Sequence, residues 1–322
     1  IDAGADINKA RDDGATPLVL AAQKGHEAVV RGLIQAGADV NKATDIVVTP
    51  LLLAAQNGHE AALRALIEAG VDIIKTTDDD GTPLYRAARD GHEAVVRVLI
   101  EAGADINKTT DNGNTSLDIS ARNGDEAVVQ ALIAAGADVN KAGAEGWTPL
   151  YIAAYLGHEA VVRALIAVGA DVNTARDDGM TLLCGIAQEG HEVVVRALIE
   201  AGADINKSGD IDMTPLYFAA IYGHDAVVRA LIELGADINK TDDDSRTPLY
   251  IASFQGHDAV VRALIEAGAD VNKARDDGVT PLSASMTKKR TKKKGKKSSR
   301  KVNVAREGHA AIVQMLRDAG AV

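Results

Sequence analysis

DDGATPLVLAAQKGHEAVVRGLIQAGADVNKA, Asp12 to Ala43, returns along almost the whole chain. Its Thr-Pro step recurs at Thr16-Pro17, Thr49-Pro50, Thr82-Pro83, Thr148-Pro149, Thr214-Pro215, Thr247-Pro248 and Thr280-Pro281. Thr115-Ser116 and Thr181-Leu182 fill the two gaps, and the spacing is 33 residues throughout. Self-similarity at a fixed period of this size marks a stacked solenoid, not a set of independent domains.

One unit can be read residue by residue. Thr16 suits an N-cap and Pro17 the first helical position. Leu18, Ala21 and Ala22 give a short helix an apolar face, and the alanines let a neighbour approach closely. Gly25 ends that helix because glycine tolerates the left-handed cap conformation. His26 to Ala36 form a second helix with Val29, Val30, Leu33 and Ile34 as its apolar stripe. Glu27 and Arg31 stand four residues apart on its other face and support it modestly. That pairing returns at Glu60/Arg64, Glu93/Arg97, Glu159/Arg163, Glu192/Arg196, Asp225/Arg229 and Asp258/Arg262. Gly37 closes the second helix, and Ala38-Asp39-Val40-Asn41 runs out to a protruding turn. No unit buries its apolar face alone, so neighbours supply the core.

TPL, AA, GH, VV, LI and GADVN at this period resemble the ankyrin repeat. The resemblance covers nearly the whole chain and implies an all-α solenoid of nine repeats with protruding β-turns. Their windows are 10–42, 43–75, 76–108, 109–141, 142–174, 175–207, 208–240, 241–273 and 274–322. Residues 1–9 read as the tail of an earlier repeat, and a chain that starts at Ile1 reads as a fragment. There are departures. The family usually has His after TPL, whereas this chain has Val19, Leu52, Tyr85, Asp118, Tyr151, Cys184, Tyr217, Tyr250 and Ser283. Hydrogen bonds between repeats are therefore expected to change. The turn glycine is replaced by Val47, Asp212 and Ser245, and Gly81 is shifted by one place, so altered turns are expected there.

Composition narrows the function. The formal net charge is −11. One stretch, Met286 to Val304, holds ten of the 35 Lys and Arg and no acid; the other 25 face 46 Asp and Glu, which leaves −21 outside it. An acidic body of that size repels nucleic acid and anionic membranes. A lone cysteine, Cys184, allows no internal disulfide and fits a reducing, intracellular, cytoplasmic setting. No apolar run approaches the roughly 18 residues of a membrane span, and no signal peptide is visible.

Catalytic and metal chemistry find no footing. All eight histidines are the GH histidine, and Asp125 stands in the ninth place. Equivalent positions lie on the order of 10 Å apart across stacked helices, whereas zinc needs ligands about 2 Å from one ion. Cys184 reads as a small buried residue. Asp78–Asp80 and Asp242–Asp244 lack the trailing Glu of a calcium loop and read as solvated turn tips. The chain is expected to be no enzyme, to need no cofactor or metal, and to be a monomer.

Positions that vary between repeats are the candidates for binding: the residue before each Thr-Pro threonine and the pair before each GH. The resemblance implies that turn tips and first helices form a concave binding face. Of nine aromatic residues, eight fall between Trp147 and Phe254. Trp147, Tyr155, Leu156, Met180, Met213, Ile221, Tyr222, Arg246 and Phe254 are the candidate partner-binding strip, since aromatics, Met and Arg make protein hot spots. Filling of gaps beside small alanines is the competing role. Tyr151, Phe218 and the remaining TPLY tyrosines lean towards the repeat interface.

The basic stretch carries Lys288, Lys289, Arg290, Lys292, Lys293, Lys294, Lys296, Lys297, Arg300 and Lys301. Removing Met286–Val304 restores the period, so it interrupts the first helix of the last repeat as a disordered insert. Three readings stay open: a nuclear-import or nucleic-acid-binding arm, a loop without a role, or a retained intron. No aromatics are interleaved, so any nucleic acid contact would be with phosphates. The leading expectation is a non-catalytic scaffold for a protein partner, and the alternative is a nuclear protein that uses this insert.

Overall fold

The computed structural model describes residues 6–74, 81–209, 212–286 and 304–322, the last stretch with side chains from His309 onward. The chain divides into two compact units, Ile1–Asp171 and Val172–Val322. Each is a stack of helix pairs. In the first unit the pairs are α1 (Pro17–Gln23) with α2 (Glu27–Gln35), α3 (Pro50–Gln56) with α4 (Glu60–Glu68), and α5 (Pro83–Arg89) with α6 (Glu93–Glu101). They continue with α7 (Ser116–Asn123) and α8 (Glu126–Ala134), then α9 (Pro149–Tyr155) and α10 (Glu159–Ala167). The second unit holds α11 (Leu182–Glu189) with α12 (Glu192–Glu200), α13 (Pro215–Tyr222) with α14 (Asp225–Glu233), and α15 (Pro248–Gln255) with α16 (Asp258–Glu266). Its last pair is α17 (Pro281–Met286) and α18 (Val304–Asp318). Within each unit, first helices pack on first helices and second on second. The described residues form no strand, only an isolated bridge between Ala175 and Thr181.

The caps follow the sequence. Each Thr-Pro threonine is extended, and its Oγ accepts the backbone N–H three residues on, at 3.0 Å for Tyr85 and 3.3 Å for Val19. Where Thr115 lacks the proline, Asp118 completes a reciprocal capping box. Ala22, Ala54, Ala55, Ala87 and Ala88 are fully buried between helices, beside Leu51, Leu66 and Leu99. Burying one such leucine contributes roughly 1.5–3 kcal/mol, so the interfaces between pairs carry the fold.

Three sets of polar contacts join consecutive repeats. The first belongs to the GH histidines. Nε2 of His59, His92 and His158 donates at 3.0 Å to the carbonyls of Gln23, Gln56 and Arg122. In the second unit His224 and His257 do the same to Gln188 and Ile221. Bonds between repeats thus survive the missing TPLH histidine. At Asp125, which replaces the ninth, the waiting carbonyl of Arg89 is taken instead by Asn123 Nδ2 at 2.7 Å.

The second set lies in GADVN. Asn8 Oδ1 accepts the Asp39 N–H at 2.8 Å, and Lys42 Nζ donates to the Asn8 carbonyl at 3.0 Å. The motif repeats between Asn107, Asp138 and Lys141, and between Asn206, Asp237 and Lys240. Ile74 occupies the asparagine position of the second repeat, is 65 % exposed, and has no oxygen to offer. The third set is on the second helices. Arg31 pairs with Glu27 at 2.8 Å, as the four-residue spacing predicts, and also with Glu68 of the next repeat at 2.7 Å. Arg196 bridges Glu192 and Glu233 in the same way.

The turns at Val47 and Ser245 keep their shape without glycine, contrary to expectation, while residues 210–211 before Asp212 and 75–80 before Gly81 lie outside the described residues. Val47, Asp212 and Ser245 hold φ of 59°, 50° and 59°, the left-handed region that Gly14 occupies at 77°. The closing bonds are retained too: Val47 N–H donates to the Thr44 carbonyl at 2.9 Å, as Gly14 does to Arg11 at 3.0 Å. Bonds such as Val48 N–H to Thr44 Oγ1 at 3.1 Å and Ser245 Oγ to Asp276 Oδ1 at 2.6 Å offset an intrinsic cost of about 1–2 kcal/mol per residue.

In the last repeat, Met286 ends a first helix of six residues and Val304 opens a second helix of fifteen. The GH step that elsewhere separates two helices is here inside one, although the His309 ring still lies against Gly256. Residues 287–303, and with them the ten basic positions of the insert, lie outside the described residues.

Candidate functional site

An open cleft of about 520 Å³ lies in the first unit, between two turn tips and the ends of α7 and α9. One tip contributes Asn112 and Asn114, and α7 contributes Arg122. The other tip contributes Ala144, Glu145 and Trp147, and α9 with its cap contributes Ile152, Tyr155 and Leu156. The cap at Thr148 fixes this geometry. It starts α9 after an extended Trp147, whose ring folds back along the helix. The ring meets Tyr151 edge-on at 4.8 Å and Tyr155 at 5.3 Å. Tyr151 is fully buried, so the aromatic wall is anchored in the core, while Leu156 at the end of α9 is 43 % exposed. Edge-to-face pairs of this kind contribute about 0.5–1.5 kcal/mol beyond burial, and they hold the Trp147 ring in place.

The turn before Trp147 differs from the other described turns. The aspartate of the DDG motif usually accepts a backbone N–H two residues on, as Asp13 does from Ala15 and Asp178 from Met180. In GAEGW, Glu145 stands at that place. Glu145 adopts φ 60° and Gly146 φ 76°, and Trp147 N–H donates to the Ala144 carbonyl at 3.3 Å. Two successive left-handed residues make a type I′ turn. The bend is displaced by one residue, and Glu145 is among the residues that line the cleft. Sequence reasoning passed over Glu145 and Asn112; the legible signal was the exchange of the turn aspartate for glutamate.

Of the nine candidate strip residues, Trp147, Tyr155 and Leu156 come together in this cleft. The other six lie in the second unit. Tyr222 is 52 % exposed and stacks on His224 with ring centroids 6.4 Å apart. Met180, Met213, Ile221 and Phe254 are half-buried, and the Ile221 carbonyl is held by His257.

Arg246 is committed inside its own turn. Its Nε donates to Asp242 Oδ2 at 2.7 Å and its Nη2 pairs with Asp244 at 3.0 Å. Asp242 is only 5 % exposed, so the reading of Asp242–Asp244 as a solvated tip holds for Asp243 and Asp244 alone. Residues 78–80 lie outside the described residues. Of the interface tyrosines, Tyr151, Tyr217 and Tyr250 are buried, as is Phe218, while Tyr85 is half-buried. Burial, with the Asp242 carboxylate beside it, pushes the Tyr217 hydroxyl far above the usual phenol range.

Cys184 is fully buried, with Sγ 3.5 Å from the carbonyls of Lys207 and Met213. Burial pushes its thiol up to about 11, the opposite of what a nucleophile needs. Burial likewise raises Asp118, partly offset by the Thr115 bonds to its carboxylate and by the nearby Arg122 charge. Among the described residues no helix is long and apolar enough to cross a membrane.

A family model described as ankyrin repeats in three copies matches the chain at residues 1–77, 51–142, 117–209, 165–242 and 207–275. No curated protein matches it.

Proposed function

The chain belongs to the ankyrin repeat family, whose members are generally protein–protein interaction modules, and we propose that it is a non-catalytic scaffold that takes a protein partner on its turn tips and first helices. The cleft at Trp147 carries this reading. It joins an anchored aromatic wall to an exposed Leu156, between two turn tips and the end of a first helix. An anchor held in place before binding lowers the ordering cost of association. Tyr222 offers a second exposed aromatic anchor in the other unit.

The test uses the exposed residues, which can change without loss of packing. Leu156→Asp and Tyr222→Asp are compared with wild type for capture of a crosslinked, identified partner, with thermal unfolding measured in parallel. Loss of a hot-spot residue weakens capture by about thirtyfold at an unchanged melting temperature. Undiminished capture by both variants refutes the reading.

A further inference from the structure

We propose that Asn112 is a self-modifying site, at which the backbone nitrogen of Gly113 displaces the side-chain amide and leaves aspartate or isoaspartate at a turn tip. The proposal concerns the chain's own chemistry and needs no partner.

The sequence holds three Asn-Gly steps, Asn57-Gly58, Asn112-Gly113 and Asn123-Gly124. Glycine carries no side chain to hinder the approach of its nitrogen, and it leaves the backbone free to rotate. All three asparagines are exposed, so exposure does not choose between them. Their amides and their surroundings do. Asn57 caps α3, and its Nδ2 donates to the Leu53 carbonyl at 2.8 Å. Asn123 ends α7, and its Nδ2 donates to the Arg89 carbonyl at 2.7 Å. The glycines that follow them are covered as well: a Cβ on Gly58 or Gly124 would stand 2.7 Å from Nδ1 of His92 or His158. Attack at either step therefore breaks a side-chain bond and lifts a helix end off the next repeat. Among the described residues, no group bonds the Asn112 amide. The attacking nitrogen is held by one bond, Gly113 N–H to the Thr110 carbonyl at 2.8 Å. The atom nearest to a Cβ on Gly113 would be the Ala144 nitrogen, at 3.5 Å, ordinary contact. Local opening costs least where few contacts hold a segment, as at such a tip.

The chemistry is self-contained. Hydroxide takes the Gly113 amide proton, and the nitrogen forms a bond to Asn112 Cγ. The bond from Cγ to Nδ2 breaks, and the amide leaves as ammonia with a proton from water. The cyclic imide then takes up water at one of its two carbonyls. Opening at one gives aspartate; opening at the other gives isoaspartate, whose main chain is longer by a methylene. The net change is amide and water to carboxylate and ammonium, with no other reactant. Asn112 lines the Trp147 cleft along with Arg122, so conversion adds a negative charge to that lining, next to Asp111 in the chain.

The full chain is incubated at mildly alkaline pH, folded in buffer and unfolded in guanidinium, and sampled over weeks. Peptide mapping by mass spectrometry follows the exchange of NH2 for OH at each of the three asparagines and separates aspartate from isoaspartate. Unfolded, the three steps are expected to convert at similar rates, because each is followed by glycine. Folded, Asn112 is expected to convert about fivefold faster than Asn57 or Asn123, since each of those has an extra hydrogen bond to break. Asn112→Gln is expected to leave the tip unmodified over the same period. Conversion of Asn57 or Asn123 as fast as Asn112 in the folded chain overturns the proposal. So does a folded chain whose Asn112 stays intact over the time in which the unfolded chain converts.

Discussion

Replacing Gly124 by alanine separates two costs that coincide at most of these helix ends. Gly124 caps α7 at φ 74°, and a Cβ there would stand 2.7 Å from His158 Nδ1 and 2.9 Å from its Cε1. The left-handed backbone alone costs an L-residue roughly 1–2 kcal/mol. Relieving the contact also swings the imidazole away, which breaks its 3.0 Å bond to the Arg122 carbonyl. A hydrogen bond lost with its acceptor left behind costs a further 1–2 kcal/mol or so. Gly91 is the built-in control. It holds the same φ of 74°, but its neighbour is Asp125 at 3.4 Å, ordinary contact. Gly136, at φ 89° with nothing within 4 Å, is a second control. Urea unfolding followed by far-ultraviolet circular dichroism should therefore rank Gly124→Ala as more destabilising than either control by about 1–2 kcal/mol. The excess should vanish when His158→Ala is added. Equal losses at Gly91 and Gly124 would show that the histidine contact contributes nothing and would refute the reasoning.

Three further outcomes follow from the same geometry. Val47→Gly removes a β-branched residue from φ 59° and should stabilise by about 1 kcal/mol in urea; a loss would mean that the Val47 side chain matters more than its backbone. Asp242→Ala strands the Arg246 guanidinium beside a buried site and should destabilise by about 2–3 kcal/mol, read as a lower unfolding midpoint. Asp118 is raised by burial, so its folded form holds a proton more tightly than the unfolded chain. Its favourable contribution is complete below the unfolded value and is lost as pH rises through the folded value. Wild type should therefore lose ground to Asp118→Asn as pH rises from acid to neutral, and a flat or reversed difference would contradict the assignment.

The fold was legible because the same residues recur with the same jobs. Thr16 as cap, Pro17 at the helix start, Gly25 at its end and Glu27 with Arg31 could each be read from one repeat. What joins the repeats was not legible. Contacts such as Asn8 with Asp39, His59 with Gln23 and Arg31 with Glu68 link residues 31 to 37 apart, and no local pattern reveals them. The turns at Val47 and Ser245 show the same limit, since local preference argues against a left-handed valine and the bonds that offset it are visible only in the structure. At the candidate site, Trp147, Tyr155 and Leu156 stood out by type. Glu145 did not, because its role comes from a bend displaced by one residue. Arg246 also stood out by type alone, and nothing in the sequence shows that its turn pairs it with a buried Asp242.

The uniform joints have a consequence for how such a gene can change. Each connection uses one fixed offset: a histidine reaches back 36 residues, a lysine 34, an asparagine forward 31. Unequal crossover that deletes or duplicates 33 residues within a unit therefore leaves every donor facing an acceptor. Where the joint is idiosyncratic, as at Ile74 or at the Asp125–Asn123 exchange, the same event would place a mismatched half against a regular one. Length is free to drift along the regular stretches, and the irregular joints act as fixed addresses within an otherwise interchangeable text.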